Sequence, residues 1–331
     1  MEIIMMKIKK LMALLVAGMM IFMLVSCGEV AEDDPGVTTT EEPTTEEAGP
    51  LSPTPGSITI GSYTLSAEFL PFEEPFVTTA SGDQDMTVFG DTVYVGDGGE
   101  TVKVYTLAGS TLTYVKTLDI SCRDGISADM NGNIYADGGV FEAKIYDADG
   151  NEIGEAAASG TISVSKDEDF ALTYWPGNDA VTKIAGGASE PWVITGMNSG
   201  GSIFTNINKI EVQNGHVLVG GEDSDKYLMA AYDTAGNQLA VSSDPLKGTL
   251  PNALCETANG YICTAVGKIN LIAPDGSLIG SDDDTETLFG VPGTFWIRNL
   301  TTLSDGTVLL CASCTKADDT DEILVFKLSG F

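Results

Sequence analysis

Six polar residues stand at matching places along this chain: Asp83, Asp124, Asn208, Asn252, Arg298 and Asn299. Each lies just ahead of a β-rich run and at a similar distance before a recurring tight turn. Aligned on that turn, Asp83, Asp124, Gly160, Ile207, Asn252 and Arg298 fall at one position. Gln84, Gly125, Thr161, Asn208, Ala253 and Asn299 fall at the next. Carboxylates, amides and one guanidinium brought together bind a polyol or a divalent cation such as calcium. The same residue types also satisfy loop backbones at strand starts, which is the simpler use for them. Other chemistries have less to stand on. His216 is the only histidine and follows an Asn-Gly turn, which argues against a histidine-dependent nucleophilic triad. No Walker loop and no G-x-G-x-x-G element occurs.

The frame that would gather these residues is a repeat. One turn signal recurs at Gly90-Asp91, Asn131-Gly132, Asp167-Glu168, Asn214-Gly215, Asn259-Gly260 and Asp305-Gly306, at steps of 36 to 47 residues. A second, glycine-bearing turn follows a β-rich strand in each unit, at Gly109, Gly150, Gly186, Gly236, Gly276 and Gly330. The strands between them are short, alternating and rich in Val, Ile, Tyr, Thr and Leu, with no sustained helical period. A repeat of about 40 residues holding four strands is the mark of a propeller blade. The expectation is an all-β, six-bladed β-propeller of four-stranded blades over residues 57–331. Units one to five continue past their second turn into a fourth strand, whereas the sixth stops at Gly330-Phe331. Ser57 to Leu70 is strand-like and belongs to no unit, so it is expected to close blade six from the N-terminal side.

The second unit resembles an NHL-type repeat. The resemblance rests on Gly125, Ile126, Asp129, Gly132, Asn133, Ile134, Tyr135, Ala136, Asp137, Ile145, Asp147 and Gly150. At the position of Asp129 the other units have Val88, Ser165, Val212, Thr257 and Leu303. The resemblance implies the six-bladed propeller superfamily, whose members range from protein and RNA binders to metal-dependent lactonases. Lactonase-like relatives hold one divalent metal on the axis with Glu, Asn and Asp ligands. Asp124, Asn208 and Asn252 match part of such a set, but no Glu stands in either ring of aligned residues.

The ends and the charge supply an address. Lys7, Lys9 and Lys10 precede a 15-residue apolar run, Leu11 to Val25, which is short for a membrane span. It ends in Leu24-Val25-Ser26-Cys27-Gly28, which resembles the lipobox of bacterial lipoproteins. That resemblance implies a signal peptide over residues 1–26, lipid attachment to Cys27 and a lipid-anchored extracytoplasmic protein. Residues 27–56 are rich in Thr, Glu and Pro and read as a disordered tether. The chain carries a formal charge of -32, and residues 57–331 alone hold 39 acidic and 13 basic residues. A surface this anionic repels nucleic acid. It leaves cations, an envelope protein or a small or sugar ligand as partners.

Five cysteines follow Cys27. If Ala258-Asn259-Gly260 is a three-residue loop, Cys255 faces Cys263 at disulfide range. Together with Cys311 and Cys314 the same thiols make a weaker candidate for zinc, and reduced core cysteines are the remaining alternative. The cluster Asp147-Ala148-Asp149-Gly150-Asn151-Glu152 has the residues of a calcium loop without its spacing, and a hairpin turn uses the same residues. The function expected is a non-catalytic ligand- or protein-binding propeller displayed on the cell envelope, with no cofactor beyond a calcium or other divalent ion. The alternative is a lactonase-like, metal-dependent hydrolase.

Overall fold

The computed structural model describes residues 49–331, apart from 137–140, 193–202, 243, 267 and 292–293. The leader, Cys27 and most of the expected tether lie outside the described residues. Strands are numbered in chain order. Blade one is β4–β7 (residues 85–119), blade two β8–β11 (126–159), blade three β12–β15 (161–191), blade four β16–β19 (206–241) and blade five β20–β23 (249–282). Each is a four-stranded antiparallel sheet in sequence order. Blade six is built from β24 (Thr294–Thr302), β25 (Val308–Thr315) and β26 (Asp321–Ser329). The innermost strands contact one another in sequence, and β24 returns to β4 (Asp85–Phe89), so the six blades form a ring.

The fourth strand of blade six comes from the N-terminal side. β2 (Tyr63–Leu70) pairs antiparallel with β26 from Ser66 opposite Ser329 to Leu70 opposite Val325. β1 (Ser57–Ile60) adds a further strand outside β2, and β3 (Phe76–Thr78) pairs with the other end of β26. Contacts with the domain begin earlier than residue 57. The Leu51 amide donates to the Glu322 carboxylate at 3.1–3.2 Å, and the Gly56 amide donates to Thr287 O. The one helix among the described residues, α1 (Thr285–Phe289), was not expected. Asp284 caps it by accepting the Thr287 amide, and Gly290 ends it in the left-handed conformation.

Period-two alternation fills the gaps between blades. In β4, Met86 and Val88 enter the apolar cluster between blades six and one, while Asp85 and Thr87 take the other parity. Six clusters of buried side chains occupy the six junctions between neighbouring blades. The largest, between blades five and six, includes Ile58, Ile60 and Leu65 from the N-terminal strands. The smallest, between blades two and three, is built mainly of alanine with Ile162 and Val164.

Two cysteine expectations are overturned. The hairpin between β20 (Thr249–Thr257) and β21 (Gly260–Val266) has a two-residue turn, with Thr257 opposite Gly260. The pairing therefore shifts by one, setting Cys255 opposite Ile262 and Cys263 opposite Leu254. Their side chains enter different blade junctions, so they do not bridge. Cys311 and Cys314 also divide between junctions, which removes the zinc arrangement. All five described cysteines are buried thiols, and burial pushes the Cys255 thiol up to about 12. The Asp147 cluster is a turn, as its residues suggested. Asp147 Oδ1 accepts the backbone amides of Asp149 and Asn151, both at 2.9 Å.

Candidate functional site at the channel mouth

Inner strands of neighbouring blades are not joined by a β-ladder, so their channel-facing backbone groups need other partners. Short polar side chains supply them around the ring. Asp85 Oδ2 and Thr87 Oγ1 accept the amides of Ile126 and Ala128, both at 3.1 Å. Ser127 accepts the Val164 amide, and Ser163 the Val212 amide. Gln213 donates to Leu254 O and Leu300 O, and Asn252 donates to Ile297 O at 2.6 Å. Between blades six and one the link is an ion pair, Arg298 Nη1 to Asp83 Oδ1 at 3.2 Å. Gly125 shows how closely the blades approach. Its φ is +119°, and a Cβ there would lie 2.7 Å from Asp85 Oδ2, displacing the carboxylate that holds the Ile126 amide.

At one end of the channel these strands open into a cavity of about 390 Å³. Asp83, Asp124, Asn208, Asn252 and Arg298 all line it, together with Gln84, so five of the six residues expected at the site converge. The sixth, Asn299, is buried, and its Nδ2 donates to Glu211 Oε1 at 3.3 Å. The alignment needs one correction. In β16 (Asn206–Gln213) Ile207 opposes Gly221 and Lys209 opposes Gly220, leaving Asn208 as the extra residue of a bulge. Asn252 and Arg298 are the skipped residues of β20 and β24 in the same way. Asn208, Asn252 and Arg298 are therefore the structural equivalents, and Ile207 is a core residue. Bulges turn a side chain out of the strand's alternation, and here each turns a polar one into the mouth.

Asp83 and Asp124 are exposed at the rim. Partial desolvation raises the Asp124 carboxyl above its usual range, Asp83 adds to this, and Arg123 opposes it. Asn252 is engaged at both ends, since its Oδ1 also accepts from Thr264 Oγ1 at 2.9 Å. Gln84 Oε1 and Asn208 Oδ1 differ. Among the described residues, both are buried acceptor atoms with no hydrogen-bond partner in the protein, and Gln84 is only 2% exposed. Buried polar atoms are rarely left so, and an orphan costs about 1–3 kcal/mol.

Below the rim lies a set of charges that the sequence reading missed. Lys209 Nζ is 3.0 Å from Glu211 Oε1, with the two side chains 15% and 16% exposed. Burial opposes the Lys209 charge, but Glu211 and Asp85 raise the ammonium well above the ordinary lysine range. Burial pushes the Asp85 and Glu211 carboxyls up, against the pull of Lys209. Deeper still, Lys166 donates to Thr301 Oγ1 at 3.1 Å, and burial lowers its ammonium. These groups neutralise one another, and they give the mouth a polar floor. Its walls are apolar. Trp175, Leu250, Val266 and Trp296 line the same cavity and are 38–47% exposed. Leu250 also has φ +49°, an uncommon conformation for a bulky residue, and such strain gathers at functional sites.

The remaining candidates lie elsewhere. His216 Nδ1 is 3.0 Å from both Glu256 carboxylate oxygens and does not line the mouth. Asp129 of blade two accepts the amides of Asn131 and Asn133 and so ties its own hairpin. Among the described residues, no three His, Cys, Asp or Glu side chains are grouped to hold a metal ion. No family model matches the chain, and no curated protein is significantly similar to it, so the channel mouth rests on its own geometry.

Proposed function

We propose that this chain is a lipid-anchored extracytoplasmic binding protein whose propeller captures a small polar ligand at the channel mouth without transforming it. One observation carries the reading. All six blades deliver polar side chains to a single cavity, and two buried acceptors there, Gln84 Oε1 and Asn208 Oδ1, have no partner in the protein. A ligand that drew these side chains toward the cavity and donated to them would relieve their desolvation. The ionisable groups beneath are already paired, which suits a floor better than a general acid and base. The NHL-like unit fits this proposal at the level of architecture, as its Asp129 and Asp147 tie hairpin turns. The lactonase-like alternative needs Asp124, Asn208 and Asn252 as metal ligands. It is the weaker reading, because both ends of the Asn252 amide are already engaged.

The test is a thermal-shift screen of the full chain against polyols, oligosaccharides, amines, amino acids, nucleosides, Ca²⁺, Zn²⁺ and Mn²⁺. A compound at one hundred times its dissociation constant stabilises the native state by about 2.7 kcal/mol. We expect one organic class to do so. Asp124→Ala should weaken its binding more than about tenfold with little loss of stability, because Asp124 is exposed. Failure of every class to stabilise the protein would overturn the reading. Stabilisation by a divalent ion alone, with lactone hydrolysis, would establish the alternative.

The anchor is tested separately. Cys27→Ser should abolish partitioning of the protein into detergent, since the acyl chains hold it to the membrane. Unchanged partitioning would remove the lipoprotein assignment.

A further inference from the structure

We infer that the ligand of the mouth is a neutral oligosaccharide, seated with sugar rings against Trp175 and Trp296 and hydroxyl groups directed to the floor; this rests on the binding reading above. Three features of the cavity select that class.

The first is the pairing of an apolar rim with a polar floor. Trp175 and Trp296 are each 39% exposed, and they reach the same cavity from blades three and six, which stand opposite each other in the ring. Large aromatic side chains left in the open at a polar site have a flat, apolar face to offer. A pyranose has the matching anatomy, with a C–H face and a hydroxyl edge.

The second feature is what the floor lacks. Gln84 Oε1 and Asn208 Oδ1 need hydrogen-bond donors, and the Asp83 and Asp124 carboxylates accept only. Arg298, already bonded to Asp83 and Ser313, is a donor on the same wall. Vicinal hydroxyls donate and accept at once, so they can serve both kinds of group. A quaternary ammonium has no N–H for the orphan acceptors. The two indoles also come from opposite blades, which does not make a cage around one cationic centre.

The third is charge. The domain carries 39 acidic against 13 basic residues, which works against an anionic glycan. The floor carboxylates Glu211 and Asp85 are balanced by two cations, Lys209 and the deeper Lys166, so the floor does not demand a further cation. A volume of about 390 Å³ lies at the small end of the range for ligand pockets, roughly 300–1,000 Å³, and fits a short segment of glycan.

The experiment applies the full chain to an array of neutral and acidic glycans, with spermidine and lysine as cationic controls. Hits are followed by tryptophan fluorescence titration. The expected result is saturable binding of one neutral family, weakened roughly threefold to tenfold by Trp175→Ala and by Trp296→Ala. Gln84→Leu should weaken it as well while leaving the empty protein at least as stable, because it removes an unpartnered buried acceptor. A variant that merely misfolds would fall in both measurements. Binding of spermidine or lysine, sensitive to Asp124→Ala, with no glycan bound would overturn the saccharide and leave the site standing. Binding of neither class at the mouth would overturn the saccharide. Glycan binding unaffected by either tryptophan variant would place the sugar elsewhere and overturn this assignment too.

Discussion

Lys209→Met should destabilise the propeller by about 3 kcal/mol or more at pH 7.5, measured by denaturant unfolding of the full chain. Lys209 is the cation held among the Glu211 and Asp85 carboxylates, and its own side chain is 15% exposed. Removing one partner of a buried ion pair leaves the other charge desolvated and uncompensated, typically at about 3–5 kcal/mol. Its remaining access to the cavity places the cost toward the lower end. The pH dependence provides a second check. In the native protein burial already raises the Glu211 and Asp85 carboxyls, with Lys209 pulling them back. Without Lys209 their folded values rise further above the unfolded ones. A carboxyl of that kind destabilises the protein while ionised, and the penalty shrinks as pH falls through its folded value. The deficit of Lys209→Met should therefore be smaller at pH 5 than at pH 7.5. Adding Glu211→Leu should recover part of it, because one of the stranded carboxylates is then gone. A variant as stable as the parent, or a deficit that grows on acidification, would show that the cluster is solvated.

The repeat was legible because turn chemistry is local. Gly90-Asp91 and Asn214-Gly215 sit in two-residue turns, closed by Phe89 opposite Thr92 and Gln213 opposite His216. Counting from such turns was enough to gather most of the mouth. What it could not carry was a change of parity inside a strand. The bulge at Asn208 moved that residue into the place expected for Ile207, while Lys209 and Glu211, on the turn side of it, keep the channel-facing parity that Asp85 and Thr87 have in β4. A trace of it was present in the sequence. Ile207 and Ile210 both enter the core, as do Ile297 and Leu300, and a spacing of three within a strand means one residue has been looped out. Cys255 and Cys263 failed for a related reason. Whether Gly260 ends the turn or begins the next strand changes the register by one, and one step sends a side chain to the other face. The orphan acceptors of Gln84 and Asn208 have no local signature, since their lack of partners depends on what five other blades place around them.

Leu65→Ala should cost about 2–5 kcal/mol, and deletion of residues 57–70 should abolish cooperative unfolding of blade six, whereas deletion of residues 29–46 should change neither. Leu65 is fully buried, faces Ile58 across β1 and β2, and belongs to the largest blade junction. Truncating such a leucine removes apolar contact and leaves a cavity that its neighbours only partly fill. The longer deletion does more. It strips the partners of β26 between Val325 and Ser329 and removes the buried Ile58, Ile60, Leu65 and Leu70. That leaves a hydrophobic strand with an unpaired edge, the arrangement most prone to pair with another chain. Concentration-dependent aggregation of this variant is expected alongside the lost transition. The second deletion stops short of Leu51 because the Leu51 amide already binds Glu322 and its side chain packs on the same junction. Equal melting temperatures for the two deletions, with no aggregation, would mean that the pairing of β2 with β26 contributes nothing to holding the ring together.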